Sequence, residues 1–185
     1  MRAESDWLTL QRDCTATTVP WGERVELSTG GEIRVIQQLG GSATVETAMG
    51  MLLRVDAEDL DALGLDRPAD PTDNPNRDPD APFTLDSVYA ALDEVYDPEI
   101  PLSIVELGLV YRCEAEVDDA GLRTVEIDMT MTAPGCGMGE VLQTDAARAV
   151  AAVPGVDRVE VNLVWEPRWS MQHMSDAARL QLGLL

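Results

Sequence analysis

The sequence predicts an α+β protein: a small β-rich N-terminal domain, followed by a small mixed sheet with helices on one face. Two patterns carry this prediction. In the second half, three alternating apolar–polar segments are interleaved with segments of helical spacing, which gives an α-β-β-α-β core and a C-terminal helix. Between the halves, residues 67–82 are rich in proline and aspartate and supply no core, so we interpret them as a linker.

Residues 1–66 are predicted to form the β-rich domain. Four segments have the pattern of strands, and they contain Val25 and Leu27, Ile33 to Leu39, Ala43 to Thr47, and Met49 to Val55. A short helix is expected after Asp56, because aspartate is a favourable N-cap, and it should end at Gly64.

Residues 83–185 are predicted to form the second domain. Thr84 should cap a helix with an apolar face reaching Tyr96, which the prolines of Asp97–Pro101 end. Strands are predicted over Leu107 to Val117, Val125 to Met131 and Val159 to Trp165, with a helix over Met138 to Val153. A strand–helix–strand unit of this length implies a right-handed parallel crossover.

The charge of the chain excludes some classes of partner. Its 185 residues carry a net charge of −21, and every basic side chain is an arginine or the single histidine. Such a surface repels phosphate, which argues against nucleic acid and anionic membranes. No apolar run reaches the roughly 18 residues of a membrane span, and the acidic N-terminus is not a secretory signal. We therefore expect a cytoplasmic protein.

The three cysteines, Cys14, Cys113 and Cys136, are too few and too dispersed for a disulfide framework. Cys113 falls on the apolar face of a predicted strand, which favours an inert core thiol. The single histidine, His173, is better explained by packing or hydrogen bonding than by catalysis. A self-contained metal site with four ligands is not visible in the sequence.

Cys136 lies on a glycine-rich turn where a predicted strand leads into a helix. Unpaired N–H groups and the helix dipole would stabilise a thiolate at this position. A cysteine that only packs under the turn is an equally available reading. Asp97 and Glu99, on either side of Pro98, are candidate acid–base groups or hard-metal ligands, although solvated acids of a helix-ending turn also explain them.

Several motifs together resemble the iron–sulfur assembly domain shared by PaaD-type and SufT proteins. They are Asp97-Pro98-Glu99-Ile100-Pro101, Ile104 to Tyr111, Met131-Thr132-Ala133-Pro134-Gly135-Cys136, Leu163-Val164-Trp165 and Met174 to Arg179. Residues 1–66, with Arg12-Asp13-Cys14 and Leu39-Gly40-Gly41, resemble the additional domain of SufT. At Ser103 the chain departs from the family pattern, in which asparagine is common.

The resemblance implies a non-enzymatic accessory factor in the maturation of iron–sulfur proteins. It makes Cys136 the functional thiol and metal ligand, places Asp97 and Glu99 near it, and assigns Thr132 to the same loop. The implied partners are the assembly machinery and apo client proteins, and the implied cargo is a transiently held iron–sulfur cluster.

A cluster usually needs four ligands, so one cysteine per chain predicts a homodimer or ligands supplied from elsewhere, including a partner, a small thiol, Asp97 or Glu99. Two other hypotheses remain open at this point. In one, the protein is an interaction scaffold and Cys136 is structural. In the other it is a thiol enzyme, although no base partner for the cysteine is visible.

Overall fold

A computed structural model describes residues 7–67, 82–133 and 137–184 of the chain. By its internal contacts the chain divides into two compact units. One consists of Met1–Ala69 together with Pro98–Pro101, and the other of Asp70–Asp97 together with Leu102–Leu185. Of the predicted linker, only Arg67 and Pro82 lie within the described ranges.

The first unit is an antiparallel sheet of six strands in the order β1-β4-β5-β6-β2-β3. The strands are β1 (Trp7–Thr9), β2 (Cys14–Thr18), β3 (Arg24–Leu27), β4 (Glu32–Leu39), β5 (Ser42–Thr47) and β6 (Leu52–Val55). A 3-10 helix over Ala57–Leu63 follows and ends at Gly64, whose φ of 72° is left-handed. Apolar side chains of the sheet and of this helix form one core, with Ile33, Leu53 and Leu60 among its fully buried members.

The structure confirms the four predicted strand regions of this unit and shows two further strands, β1 and β2. The predicted strand from Met49 begins only at Leu52, because residues 47–51 form a turn closed by the Gly50 N–H to the Thr47 carbonyl at 2.8 Å. Met49 lies on this turn with 82% of its surface exposed. Its apolar side chain is therefore not part of the alternation.

The second unit contains a three-stranded mixed sheet, as the sequence predicts. Its elements are α1 (Leu85–Leu92), β7 (Val110–Val117), β8 (Arg123–Met129), α2 (Gly139–Ala151), β9 (Arg158–Leu163) and α3 (Asp176–Gln181). β7 pairs antiparallel with β8, and β8 pairs parallel with β9. α1 and α2 pack against each other, and α2 packs on β9. No helix in the described part of the chain is long and apolar enough to cross a membrane.

Two predicted boundaries in this unit are wrong by several residues. α1 ends at Leu92, before the expected Tyr96, because Val95 instead accepts the Ile104 N–H and Tyr96 pairs with Ser103 in an isolated antiparallel bridge. The strand expected from Leu107 begins at Val110, since the preceding residues form a tight turn. The buried apolar residues of this turn mimic strand alternation.

Candidate functional site

Buried methionines lie at both ends of the segment that leads from β8 into α2. Met131 follows β8, Met138 precedes α2, and both are almost completely buried. Between them, Thr132 is half-buried and Ala133 exposed. Pro134, Gly135 and Cys136 lie outside the described residues. The structure therefore defines the two ends of the thiol-bearing segment.

The residue at the N-cap position of α2 does not cap the helix with its side chain. Met138 occupies the N-cap position and makes no side-chain hydrogen bond to the helix, so the first-turn N–H groups are not satisfied by a cap. A Cβ on Gly139 would lie 3.2 Å from Leu163 Cδ1 and 3.7 Å from Met131 Cγ, so a glycine here lets the helix start pack closely. Cys136 precedes this helix by three positions in the chain.

Asp97 and Glu99 occupy different environments. Asp97 is only 4% exposed, and its N–H donates to the Leu102 carbonyl at 3.0 Å. Glu99 is exposed. The solvated-turn reading of the pair therefore fits Glu99 and is wrong for Asp97, whose burial makes it a structural or site residue.

Backbone hydrogen bonds connect the segment after Asp97 to the segment that carries Thr132. The Leu109 N–H donates to the Ile104 carbonyl at 2.9 Å, and the Thr130 N–H donates to the Leu109 carbonyl at 2.8 Å. The turn after the acidic residues and the chain leaving β8 are thus directly paired. The expected proximity of Cys136 to Asp97 and Glu99 stays a prediction, because Cys136 is not among the described residues.

Ser103 supports this region in a way that the sequence did not reveal. Its buried hydroxyl donates to Asp93 Oδ1 and accepts the Glu106 N–H at 3.1 Å. It therefore caps the turn that follows and joins it to the end of α1. Serine and asparagine are both favourable residues for capping backbone N–H groups, so serine fills this position as well as the asparagine that the resemblance implies. The sequence signal that could have indicated this capping role is a small polar residue just ahead of a turn.

The C-terminal tail covers the same turn. Trp169 Nε1 donates to the Leu107 carbonyl at 2.8 Å, and the Tyr111 hydroxyl donates to the Pro167 carbonyl at 3.0 Å. His173 stacks obliquely on Tyr111, with ring centroids 5.4 Å apart, and its Nδ1 lies 3.1 Å from the Ser170 nitrogen. These contacts agree with the packing role expected for His173.

The two cysteines within the described ranges are poor nucleophiles. Cys14 is 4% exposed and Cys113 is 9% exposed. Burial is the main cause that raises the pKa of both thiols, and nearby Asp59 adds to the effect at Cys14. Both thiols therefore stay protonated near neutral pH.

Among residues 7–67, 82–133 and 137–184, no group of three or more histidine, cysteine, aspartate or glutamate side chains is arranged to hold a metal ion. If a metal group binds this region, part of its ligand set lies outside the described residues or outside the chain.

Comparison with known proteins gives consistent matches to the second unit. Residues 85–163 match the model of a family described as iron-sulfur cluster assembly protein. The "Fe-S protein maturation auxiliary factor SufT" of Staphylococcus aureus (strain USA300) is 43% identical over 90 residues, which are 49% of this chain and 98% of that protein. Almost the whole of that protein is therefore matched by half of this chain, and it has no counterpart of the other half. The likeness of residues 1–66 to an additional SufT domain stays a prediction.

Two further relatives each match about half of the chain. The "Fe-S protein maturation auxiliary factor YitW" of Bacillus subtilis (strain 168) is 37% identical over 99 residues, covering 54% of this chain and 93% of that protein. An "Iron-sulfur cluster carrier protein" of Synechocystis sp. (strain PCC 6803) is 37% identical over 84 residues, 45% of this chain and 22% of its own length. The chain belongs to the iron–sulfur cluster assembly protein family.

Proposed function

We propose that this protein is a non-enzymatic accessory factor that helps to mature iron–sulfur proteins, with Cys136 as the thiol that holds or passes on the cluster. Family membership and the names of the relatives support the maturation role. The observation that carries the assignment of the thiol is the burial of Cys14 and Cys113, whose raised pKa values remove them as candidates.

The start of α2 supplies a physical reason for a reactive Cys136. A thiolate near the N-terminus of a helix is stabilised by unpaired N–H groups and by the positive end of the dipole. Met138, at the N-cap position, gives those groups no side-chain hydrogen bond. Thr132, Asp97 and Glu99 complete the proposed cluster-binding region, in which Asp97 and Glu99 would supply oxygen ligands or accept the proton that the thiol releases.

The number of ligands that a cluster needs is the basis for the assembly that we propose. One thiol cannot satisfy a cluster that takes four ligands, and the described residues contain no group of three ligands. We therefore propose that two chains bring their Cys136 residues together in a homodimer, with the remaining ligands from the acidic residues or a small thiol. The cluster is cargo, so an incomplete ligand set favours its transfer to an apo client. The proposed setting is the cytoplasm, among assembly proteins and without nucleic acid.

A second candidate function is an interaction scaffold that holds client and assembly proteins together without binding metal. The net charge of −21 gives such a scaffold an acidic surface on which partners can dock. In this reading Cys136 is structural. The two functions differ in whether removal of one sulfur atom abolishes maturation.

Complementation of a strain that lacks its own maturation factor tests the proposal. Cys136→Ser should abolish activation of an iron–sulfur client enzyme while the protein level stays unchanged. Cys14→Ala, which removes a buried thiol, is the matched control and should retain activation after correction for protein level. Full activation by Cys136→Ser would instead support the scaffold.

A further inference from the structure

The three-stranded sheet of the second unit has β8 at its centre, so β7 and β9 are its two edges. In an antiparallel pair, the backbone groups of successive residues face the neighbouring strand and the open side in turn. The Asp118 N–H donates to the Leu122 carbonyl at 3.0 Å, so every second residue before it along β7 also faces β8. The N–H and C=O groups of Cys113, Ala115 and Val117 therefore face away from β8.

These outward-facing backbone groups lack a hydrogen-bond partner within residues 7–67, 82–133 and 137–184. No described hydrogen bond outside the β7–β8 ladder involves the backbone of Cys113, Ala115 or Val117. The strand is eight residues long and contains no proline, whereas proteins commonly protect a free edge by shortening it or by placing proline there. Its outer edge is therefore able to pair with another strand.

The opposite edge of the same sheet is blocked at its centre. The Val164 N–H donates to the Met129 carbonyl at 2.8 Å, so the alternate residues of β9 that include Val161 face away from β8. The Gln143 side chain of α2 donates to the outward Val161 carbonyl. Of the two edges, β7 is the one whose backbone groups stay available within the described part of the chain.

The side chains of β7 differ between the two faces of the sheet. Cys113 is buried in the apolar core, whereas Val117, on the same face, is 56% exposed. Ala115 lies between them and is half-buried. On the other face, Glu114 and Glu116 are both exposed. The free edge thus has accessible apolar surface on one side and carboxylates on the other.

The charge beside this edge selects the chemistry of a partner strand. The basic side chain of β7, Arg112, already forms ion pairs with three carboxylates of the sheet. Glu116 forms no ion pair among the described residues. Opposite charges placed across two strands attract and like charges repel, so a strand added here needs basic side chains beside Glu114 and Glu116. A second copy of this chain, with its net charge of −21, lacks that excess of positive charge.

We propose that β7 is a docking edge that accepts an extended segment of a partner protein by strand addition, and that this segment alternates lysine or arginine with apolar residues. Backbone hydrogen bonds to Ala115 and Val117 supply affinity, and the carboxylates of Glu114 and Glu116 select the charge of the segment. The inference goes beyond the proposed function, because it requires neither a cluster nor Cys136.

Residue-resolved hydrogen exchange of the full-length protein, followed by NMR, tests the open edge. In the protein alone, the Ala115 and Val117 N–H groups should exchange fast, whereas those of Glu114 and Glu116, which face β8, should exchange slowly. An excess of the N-acetylated and C-amidated peptide Lys-Val-Lys-Val-Lys-Val should slow exchange at Ala115 about fivefold, the factor that one net hydrogen bond contributes. Slow exchange of Ala115 and Val117 without peptide would overturn the proposal, because the edge would already be paired.

Two control peptides separate strand addition from simple charge attraction. Lys-Lys-Lys-Val-Val-Val has the same composition and charge without the alternation, and Glu-Val-Glu-Val-Glu-Val has the alternation with the opposite charge. Neither should protect the Ala115 N–H. Equal protection by the two lysine peptides would rule out strand addition, and equal protection by the glutamate peptide would rule out the selection of charge.

A pair of charge reversals locates the peptide on β7. Glu116→Lys should weaken binding of the alternating lysine peptide about fivefold, because an attractive cross-strand pair becomes a repulsive one. Glu160→Lys is the matched control, since it makes the same change at an exposed glutamate of the opposite edge strand, β9. Both variants alter the net charge equally, so equal losses of affinity would contradict docking at β7.

Ala115→Pro tests the backbone contact itself. Proline removes the outward N–H and is tolerated at an edge position whose N–H is not part of the ladder. This variant should bind the alternating lysine peptide at least about fivefold more weakly than Ala115→Thr, which keeps the N–H. Slow exchange of the Glu114 and Glu116 N–H groups verifies that the ladder is intact. Equal binding by the two variants would overturn the proposal.

Discussion

Gly108 is a residue whose lack of a side chain is required by its neighbours. Its φ is +66°, in the left-handed region that favours glycine, and a Cβ there would collide with the carbonyl carbon and oxygen of His173. The position therefore carries two separate costs for any other residue. Only glycine lets the C-terminal tail lie directly on the turn that pairs with the chain leaving β8.

Gly108→Ala should destabilise the protein by about 3 kcal/mol, because left-handed strain of about 1 kcal/mol adds to the displacement of backbone at His173. Gly121→Ala separates the two costs. Gly121 has a φ of +83° but nothing within 4 Å of its Cβ position, so we expect a loss of only about 1 kcal/mol there. Urea denaturation of both variants gives the comparison, and equal losses would mean that the tail does not pack on Gly108.

The three-stranded sheet depends on one arginine on its polar face. Glu114 is paired opposite Glu126, and Glu126 opposite Glu160, so three like charges lie side by side across the strands. Arg112 offsets the repulsion between these carboxylates. Its Nη2 lies 2.6 Å from Glu126, its Nη1 lies 2.8 Å from Glu114, and its Nε lies 2.6 Å from Asp128. The ion pairs act as a network rather than as isolated surface pairs.

Arg112→Met should lower the midpoint of thermal unfolding at pH 7 and have less effect at pH 3. The hydrogen bond from Arg112 is the main cause that holds the pKa of Asp128 below its ordinary value. A carboxyl with a lowered folded-state pKa stabilises the protein above its unfolded pKa of about 3.9, and this contribution is lost as the pH falls through the folded-state pKa. Protonation also removes the repulsion between the glutamates in the variant.

Thermal unfolding of wild type and Arg112→Met at the two pH values is the measurement. Arg158→Met changes another arginine of the same sheet, which has no ion pair among the contacts described, and is the matched control. A difference between wild type and Arg112→Met that stays constant from pH 7 to pH 3 would exclude the network.

The elements that could be predicted from sequence are those built on large aliphatic residues. β8 and β9 alternate valine, isoleucine, methionine or leucine with polar or charged residues, so the period-2 pattern of a strand is visible in the sequence. β2, with the sequence Cys-Thr-Ala-Thr-Thr, has no large apolar residue, and β1 has three residues, so neither carries that signal. Their pairing is decided by tertiary contacts.

The candidate site was only partly predictable for a related reason. The turn at Met138 and the helix after it follow from local spacing, whereas the burial of Asp97 in a run of acids and prolines does not. The Thr44 hydrogen bond to Pro98 joins residues 54 positions apart. No local pattern encodes such a pairing.

The molecule as a whole combines a high negative charge with three cysteines, of which Cys136 lies outside the described residues. Each unit has its own apolar core, and both described cysteines are within those cores. The net charge of −21 opposes association of two chains at low ionic strength. The proposed homodimer should therefore be stabilised by the shared cluster and by moderate salt.

Anaerobic reconstitution with iron and sulfide, followed by ultraviolet–visible spectroscopy and size analysis, tests the central claim most directly. Wild type should show charge-transfer bands and one cluster per two chains, and Cys136→Ser should show neither the bands nor the cluster-dependent dimer. Cys14→Ala should behave like wild type. Bands of equal strength in wild type and Cys136→Ser would contradict the account, because the cluster would then be held by other residues.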